Sequence, residues 1–366
     1  MIFLGAGASK IFGVKTLQET TDDLIRVIKD RDCGDIIDAV IGKLSKFEIV
    51  VDFEAIYTIL DALSDPRQSI KEMGAFAAFM CRNDIGKHPE YGEILKDFKN
   101  YLYQECTIKP GFLEEVRSAY DRLFDFLGKA SLNEQRFSYG SQPTGAFANF
   151  GNTIVTTNYD MSVELYHMMK KQALADGFRP PSPYIPSFES EMDLSTYSQL
   201  AGGRWLIKLH GSIWQYKHGN RIFKTIDDPK KSTLPINIEE NMMIYPTGEK
   251  PILKDPYYSF YSLFKAQRWL KLIAIGYSFR DDPVNTAILE NLERVENSTL
   301  IIVDPKAEEV IRNLGSVKRY LPRIIRIPNR FGEDIVFDKL ELAIAVDSYK
   351  QYREKLFSDK HLYPIS

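Results

Sequence analysis

Five short polar clusters in the chain carry residue types that can do chemistry, and each follows directly on an apolar run. Leu209-His210-Gly211-Ser212 closes the run from Trp205. Histidine titrates near neutrality and suits a general base. His210 is the one histidine of five at such a position. His88, His167, His218 and His361 fall in polar loops or on a helix face, where surface or packing roles are expected. Thr156-Thr157-Asn158-Tyr159-Asp160 ends a β-branched run. The Asn158 amide can orient a water or a hydroxyl, whereas Asp160 reads as a ligand acceptor or as a helix N-cap. Gly5-Ala6-Gly7-Ala8-Ser9 follows Met1-Ile2-Phe3-Leu4. Its backbone amides can approach a diphosphate near the positive end of the next helix, with Ser9 and Lys10 adding polar contacts. Position 10 is lysine, so G-x-G-x-x-G is incomplete, and no Gly-Lys-Ser/Thr follows at P-loop distance. A plain strand-to-helix turn is the alternative for this cluster. Gly276-Tyr277-Ser278-Phe279-Arg280-Asp281-Asp282 and Val303-Asp304-Pro305 complete the set.

Such clusters need strands to present them. Met1–Leu4, Thr153–Thr157, Trp205–Leu209, Leu272–Ile275 and Leu300–Val303 are short, continuous apolar or β-branched runs. Runs of this kind alternating with helices imply a parallel sheet buried on both faces. Ligands of open α/β sheets sit outside the carboxyl ends of the strands, so five clusters at five strand ends outline a single nucleotide crevice. A helix is expected over about Met161 to Leu174, and another is expected to start with Asp282 as N-cap before Pro283.

Between about residues 20 and 130 the pattern is helical. Ile94, Leu95, Phe98, Tyr101 and Leu102 share one face of a 3.6-residue period, and Phe112, Leu113, Val116, Tyr120, Leu123, Phe124 and Leu127 repeat it. Asp52 to Leu63 is a third helix. Gly140 to Asn152 and the prolines 180, 181, 183 and 186 mark loops. The expected fold is therefore α/β, a Rossmann-like parallel sheet with helices on both faces plus an inserted all-helical module. The sheet domain would take residues 1–20 and 145–366, and the helical module 21–144.

Composition limits the alternatives. At 366 residues the chain has room for about two domains. Lys plus Arg number 47 against 50 Asp plus Glu, a net charge of −3, which argues against a chain dominated by a phosphate-binding basic face. The three cysteines, Cys33, Cys81 and Cys106, form no C-x-x-C pair, which excludes a zinc ribbon and a disulfide framework. No run approaches the ~18 apolar residues of a membrane span, and no leader pattern opens the chain. A cytoplasmic protein without membrane contact is expected.

Taken together, the clusters resemble the sirtuin-like family of NAD-consuming proteins. Gly5-Ala6-Gly7-Ala8-Ser9 resembles its G-A-G-x-S turn, and Thr157-Asn158-Tyr159-Asp160 its T/Q-N-x-D motif. Leu209-His210-Gly211 resembles the catalytic L-H-G, and Gly276-Tyr277-Ser278 the G-x-S loop, all in the family's order. The departures are as informative: no four-cysteine zinc ribbon is present, and Phe12-Gly13-Val14-Lys15-Thr16 replaces the P-D-F-R segment. Without the zinc module the peptide groove of deacetylases is in doubt, and the pattern resembles the bacterial antiphage-defence branch that hydrolyses NAD.

The resemblance implies NAD as substrate, no metal, and Asn158 and His210 as catalytic residues. Gly5, Ala6, Gly7 and Ser9 would hold the diphosphate; Gly276, Ser278 and Asp304 the adenosine half; Asp160 would face the nicotinamide amide or cap its helix. Nicotinamide leaves as a neutral molecule, so no general acid is required. The enzyme must stabilise an oxocarbenium-like sugar and hold a nucleophile on its other face. A deacylase or ADP-ribosyltransferase, and a non-catalytic sensor of NAD or ADP-ribose, are the competing expectations. An NAD hydrolase must be gated, and the resemblance implies a homo-oligomer paired with a hexameric ATPase of the HerA type. The amphipathic helices between residues 50 and 130 are the expected subunit contact.

Overall fold

The computed structural model describes residues 1–29, 34–46, 51–64, 91–137, 152–179, 189–200, 203–218, 221–225, 241–243, 256–315 and 317–359. The loop expected over Gly140–Asn152 and the proline-rich segment fall almost wholly outside them, as do Cys33, Cys81, His88 and His361. The chain opens with β1 (Ile2–Leu4) and the short α1 (Ala6–Ser9), followed by α2 (Leu17–Lys29), α3 (Gly34–Lys46), α4 (Phe53–Ser64), α5 (Tyr91–Cys106) and α6 (Leu113–Phe137). Next come β2 (Thr153–Thr156), α7 (Ser162–Lys170), β3 (Leu174–Ala175), β4 (Glu189–Glu191), α8 (Thr196–Gln199) and β5 (Arg204–Lys208). A meander of β6 (Gly211–His218), β7 (Arg221–Thr225) and β8 (Asn241–Met243) leads to α9 (Tyr257–Ala266) and β9 (Lys271–Ile275). The chain closes with α10 (Asp282–Arg294), β10 (Thr299–Val303), α11 (Ala307–Val310), β11 (Ile324–Ile327) and α12 (Asp334–Asp359).

Seven strands form one parallel sheet in the order β11-β10-β9-β1-β2-β5-β3. The fold is Rossmann-like α/β. β1 is central, and the chain leaves it toward β2 on one side and returns as β9 on the other. That divergence opens a crevice beyond the carboxyl ends of β1, β2 and β9. Side chains of each strand alternate between two cores. Phe3, Val155, Ile207 and Ala274 pack with Phe260 and Phe264 of α9 and Val284 and Ile288 of α10. Ile2, Leu4, Ile154, Leu206 and Ile273 pack with Val116 and Tyr120 of α6, Val163 of α7 and Val336 and Leu340 of α12.

A third core is made chiefly by α2–α5, where Ile37, Val40, Phe53, Ile56, Ile94, Phe98 and Leu102 meet Met161, Ile213 and Met243. α6 serves the sheet instead, so the helices that pack chiefly on one another are fewer than residues 21–144 suggest. The apolar faces of α4, α5 and α6 are buried in these cores. They are used inside the chain, so the subunit contacts expected of these helices would have to use their other faces.

Three further differences have local causes. The helix expected to reach Leu174 stops at Lys170, because Lys171 is left-handed (φ 53°), and Leu174–Ala175 join the sheet as β3. α10 is capped by Asp281 rather than Asp282: Asp281 Oδ1 accepts from the Val284 N–H at 3.3 Å, with Pro283 in the first turn. The antiparallel sheet β4-β7-β6-β8 is absent from the sequence reading. Its longest strand, β6, begins at Gly211, whose φ of 74° turns the chain immediately after His210.

Candidate functional site

A cleft of about 320 Å³ lies beyond the carboxyl ends of the central strands. The first turn contributes Ala6, Gly7 and Ser9; the β2 end contributes Asn158 and Asp160; β5 is followed by His210; β9 and β10 lead to Gly276, Ser278 and Asp304. All but Gly5 of the ten residues singled out from the sequence thus line one space. Phe53, Leu102 and Cys106 of the helical unit supply an apolar wall, and Lys15, Arg280 and Asp281 add charge. A larger cavity of about 480 Å³, lined by Met161, Glu164 and Trp214 among others, holds none of the ten.

The three glycines are explained by backbone meeting backbone. A Cβ on Gly5 would fall 2.5 Å from Gly276 O, one on Gly7 2.9 Å from Gly276 Cα, and one on Gly276 2.3 Å from Ala8 N. Gly276 also has a φ of 61°. The Gly5 N–H donates to Ile275 O and the Gly7 N–H to Gly276 O, each at 2.9 Å. Both amides are therefore engaged, and what these glycines offer a ligand is space rather than donors.

One hydrogen-bonded chain ties the first turn to the β2 loop. Asn158 Nδ2 donates to Gly5 O and to Ser9 Oγ, both at 2.9 Å, and Ser9 Oγ donates to Asp160 Oδ2 at 2.6 Å. Asp160 Oδ1 accepts from the Ser162 N–H at 2.9 Å, a helix-start contact. Both amide hydrogens of Asn158 are used inward, so its Oδ1 is the group it can turn toward a ligand, as an acceptor. Beneath this chain the buried Lys208 ammonium donates to Asp160 O and lies 3.3 Å from Glu164 Oε1. Burial raises the Glu164 pKa, opposed by Lys208.

His210 is 7% exposed, and its Nε2 lies 2.8 Å from Asp281 Oδ2. Asp281 is itself buried and fixed by its cap bond to α10. The pair is an imidazole oriented by a carboxylate, the arrangement that sets a histidine's tautomer and stabilises its protonated form during base catalysis. Asp281 was not singled out by the sequence reading. Its signal was its place immediately before Asp282-Pro283, where an N-cap aims a carboxylate along the rim of the crevice.

The β9–α10 loop is strained and held. Phe279 is fully buried at a φ of 54°, a left-handed conformation that costs a bulky residue about 1–2 kcal/mol. Asn285 Nδ2 donates to Phe279 O at 2.8 Å, and Asn313 Nδ2 to Ser278 O at 2.8 Å. Asn285 and Asn313, both missed by the sequence reading, therefore fix the shape of the Ser278 segment. Asp304 accepts from the Lys306 N–H at 2.7 Å; burial raises its pKa. At the cleft mouth Arg280 lies 3.5 Å from Asp52, a half-exposed pair that solvent weakens. Lys15 bonds Asp23 at 2.6 Å, Glu105 at 2.9 Å and Tyr101 at 3.2 Å; burial lowers its pKa, but these partners outweigh that and raise it.

Residues 152–320 match the SIR2-like domain family. The SIR2-like stretch holds four of the five clusters, those at β2, β5, β9 and β10, while the first turn precedes it. The chain is also similar to a solved structure from work described as "The Structural basis of Sirtuin Substrate Affinity", at 15% identity and a TM-score of 0.32, over 94% of this chain and 91% of that one. No curated protein matches the chain. Among the described residues no group of three His, Cys, Asp or Glu side chains could hold a metal, and no helix is long and apolar enough to cross a membrane.

Proposed function

We propose that this protein is an NAD glycohydrolase that cleaves NAD to nicotinamide and ADP-ribose. The observation that supports this reading is the convergence of Asn158 and the His210–Asp281 pair on the cleft at the switch point of the sheet. In this reading the ribose next to nicotinamide sits between them. Asn158 Oδ1 accepts from a ribose hydroxyl or the attacking water. His210, oriented by Asp281, takes the proton as the nucleophile attacks, an effect worth roughly 10²–10⁴-fold. Nicotinamide departs neutral, so no acid is needed on its side. Ala6, the space left by Gly5 and Gly7, and Ser9 border the diphosphate; Gly276, Ser278 and Asp304 border the adenosine half. Asp160 acts by holding Ser9 and the start of α7.

The same reading makes the protein a cytoplasmic component of antiphage defence: a homo-oligomer, gated by a HerA-type hexameric ATPase and without metal. Residues 1–20 and 145–366 form its nucleotide domain, α6 included by packing, with the remaining helices as roof. The test is incubation with NAD, with and without such an ATPase, followed by chromatography. Nicotinamide and ADP-ribose are expected, and Asn158→Ala and His210→Ala should each reduce their formation by at least about a hundredfold. Nicotinamide release only in the presence of an acetyl-lysine peptide would instead indicate a deacylase. NAD binding without turnover under every condition would indicate a sensor.

A further inference from the structure

The lining of the cleft holds more acid than base. It includes three carboxylates, Asp160, Asp281 and Asp304, against two side chains of fixed positive charge, Lys15 and Arg280. Lys15 is fully engaged: an ammonium has three N–H donors, and it meets Asp23 at 2.6 Å, Glu105 at 2.9 Å and Tyr101 at 3.2 Å. The first turn is engaged as well. The amides of Gly5, Gly7 and Ala8 donate to Ile275 O, Gly276 O and Gly5 O, each at 2.9 Å. A dianionic diphosphate held beside these carboxylates requires a cation, because a buried charge without a partner is strongly disfavoured. Arg280 is the cation that remains among the described residues of the lining.

Its donors are available. Among the described residues its side chain makes one hydrogen bond, from Nη1 to Asp52 Oδ2 at 3.5 Å, which leaves most of the five guanidinium N–H donors unused. That pair is long and half-exposed, so solvent weakens it. Asp52 has a second task, since its Oδ1 accepts from the Ala55 N–H at 2.9 Å and caps α4. The backbone on either side of Arg280 is held: Phe279 is fully buried with its carbonyl bonded by Asn285, and Asp281 is buried against His210. In the functional reading Ser278 borders the adenosine half, and Asp281 serves His210 at the ribose beside nicotinamide. Arg280 stands between them in the loop, where the diphosphate that joins the two halves has to pass. We propose that Arg280 binds the diphosphate, turning from Asp52 to a bidentate contact that selects pyrophosphate-bridged ligands. The inference rests on the NAD reading and adds a consequence to it: ligand and α4 compete for one guanidinium.

The test is calorimetric titration of the full chain with ADP-ribose, which carries the diphosphate, and with adenosine, which lacks it. Arg280→Ala should weaken ADP-ribose by about ten- to a hundredfold, the loss expected for a charged hydrogen-bonded contact, and leave adenosine within about twofold. Arg280→Lys should recover part of that loss, since a point charge replaces the planar fork. Asp52→Asn keeps the α4 cap and releases the guanidinium, so it should tighten ADP-ribose by up to about fivefold at low salt. A loss below about tenfold in Arg280→Ala overturns the assignment and leaves the NAD reading standing. Equal losses for ADP-ribose and adenosine overturn it too, because the loop and not the charge would then be responsible. Looser binding in Asp52→Asn refutes the competition with α4. A wild-type chain that binds no ADP-ribose defeats the NAD reading, and this inference with it.

Discussion

Asp281 makes two bonds at once, and two substitutions separate them. Oδ2 meets His210 Nε2 at 2.8 Å, and Oδ1 accepts from the Val284 N–H at 3.3 Å to start α10. Asp281→Asn keeps a side-chain acceptor of the same shape for Val284. Asn and Asp are equivalent N-caps, and the neutral bond that remains to His210 is about 1 kcal/mol weaker than the charged one. Stability should fall by roughly that amount. Activity should fall far more, because the amide whose oxygen caps Val284 turns its NH2 to Nε2, which holds the imidazole in the opposite tautomer and cannot stabilise the cation that forms as His210 takes a proton. A loss of at least about a hundredfold in kcat is expected, with KM little changed, since Asp281 acts through His210 rather than by binding substrate.

Asp281→Ala should show the same loss of kcat but a further cost in stability. It removes the cap, worth about 1 kcal/mol, and leaves a buried imidazole nitrogen unpaired, worth about 1–3 kcal/mol. The assay is NAD turnover by chromatography beside thermal unfolding of the three proteins. Equal activity in the two variants with unequal melting would locate the catalytic role in the carboxylate's charge. If Asp281→Asn retains kcat within about threefold of wild type, the carboxylate does not orient a working base, and the assignment of His210 falls with it.

Other outcomes follow from the same geometry. Gly276→Ala should cost about 3 kcal/mol, since its Cβ would meet Ala8 N at 2.3 Å in a left-handed backbone; Gly128→Ala, with nothing within 4 Å in the middle of α6, should be neutral to stabilising, as chemical denaturation would show. His167 is buried with Nδ1 bonded to Val163 O at 2.8 Å and Nε2 facing Arg204 at 3.1 Å, and burial lowers its pKa from 6.5 to about 4. The unfolded chain therefore binds a proton that the folded chain rejects. This contribution is fully present above about pH 6.5 and is lost as pH falls toward 4, up to about 3 kcal/mol, and melting of His167→Gln should show a flatter pH dependence over that window.

The parallel sheet was legible because its strands are continuous apolar runs, a pattern that only burial on both faces tolerates. β1, β2, β5, β9 and β10 fall within a residue or so of the runs read from the sequence. β7 was not legible, since Arg221-Ile222-Phe223-Lys224 interleaves charge with apolar residues on a half-exposed antiparallel strand. The helices α4 to α6 were legible by period, but not their use: period cannot say whether an apolar face meets its own chain or another.

The site was legible in its parts and not in its joints. Asn158, Ser9 and Asp160 were each singled out for a ligand, yet their strongest bonds are to one another. The donors of Asn158 and the carboxylate of Asp160 are turned inward, and Gly5 and Gly7 are close-packed against Gly276. Residue type and spacing identify which groups gather at a strand end; they do not reveal which hydrogen bonds the gathered groups already make. Precision in a catalytic cleft depends on such inward bonds, because a reacting group must be held within a fraction of an ångström. Asp281, Asn285, Asn313 and Lys208 supply that restraint here; Asp281 lies inside the fourth cluster without having been singled out, and the other three lie outside every cluster. A chain without Asn285 and Asn313 would preserve every cluster read from the sequence, and one without Asp281 would keep every residue singled out there; both would lose the geometry that makes them a site.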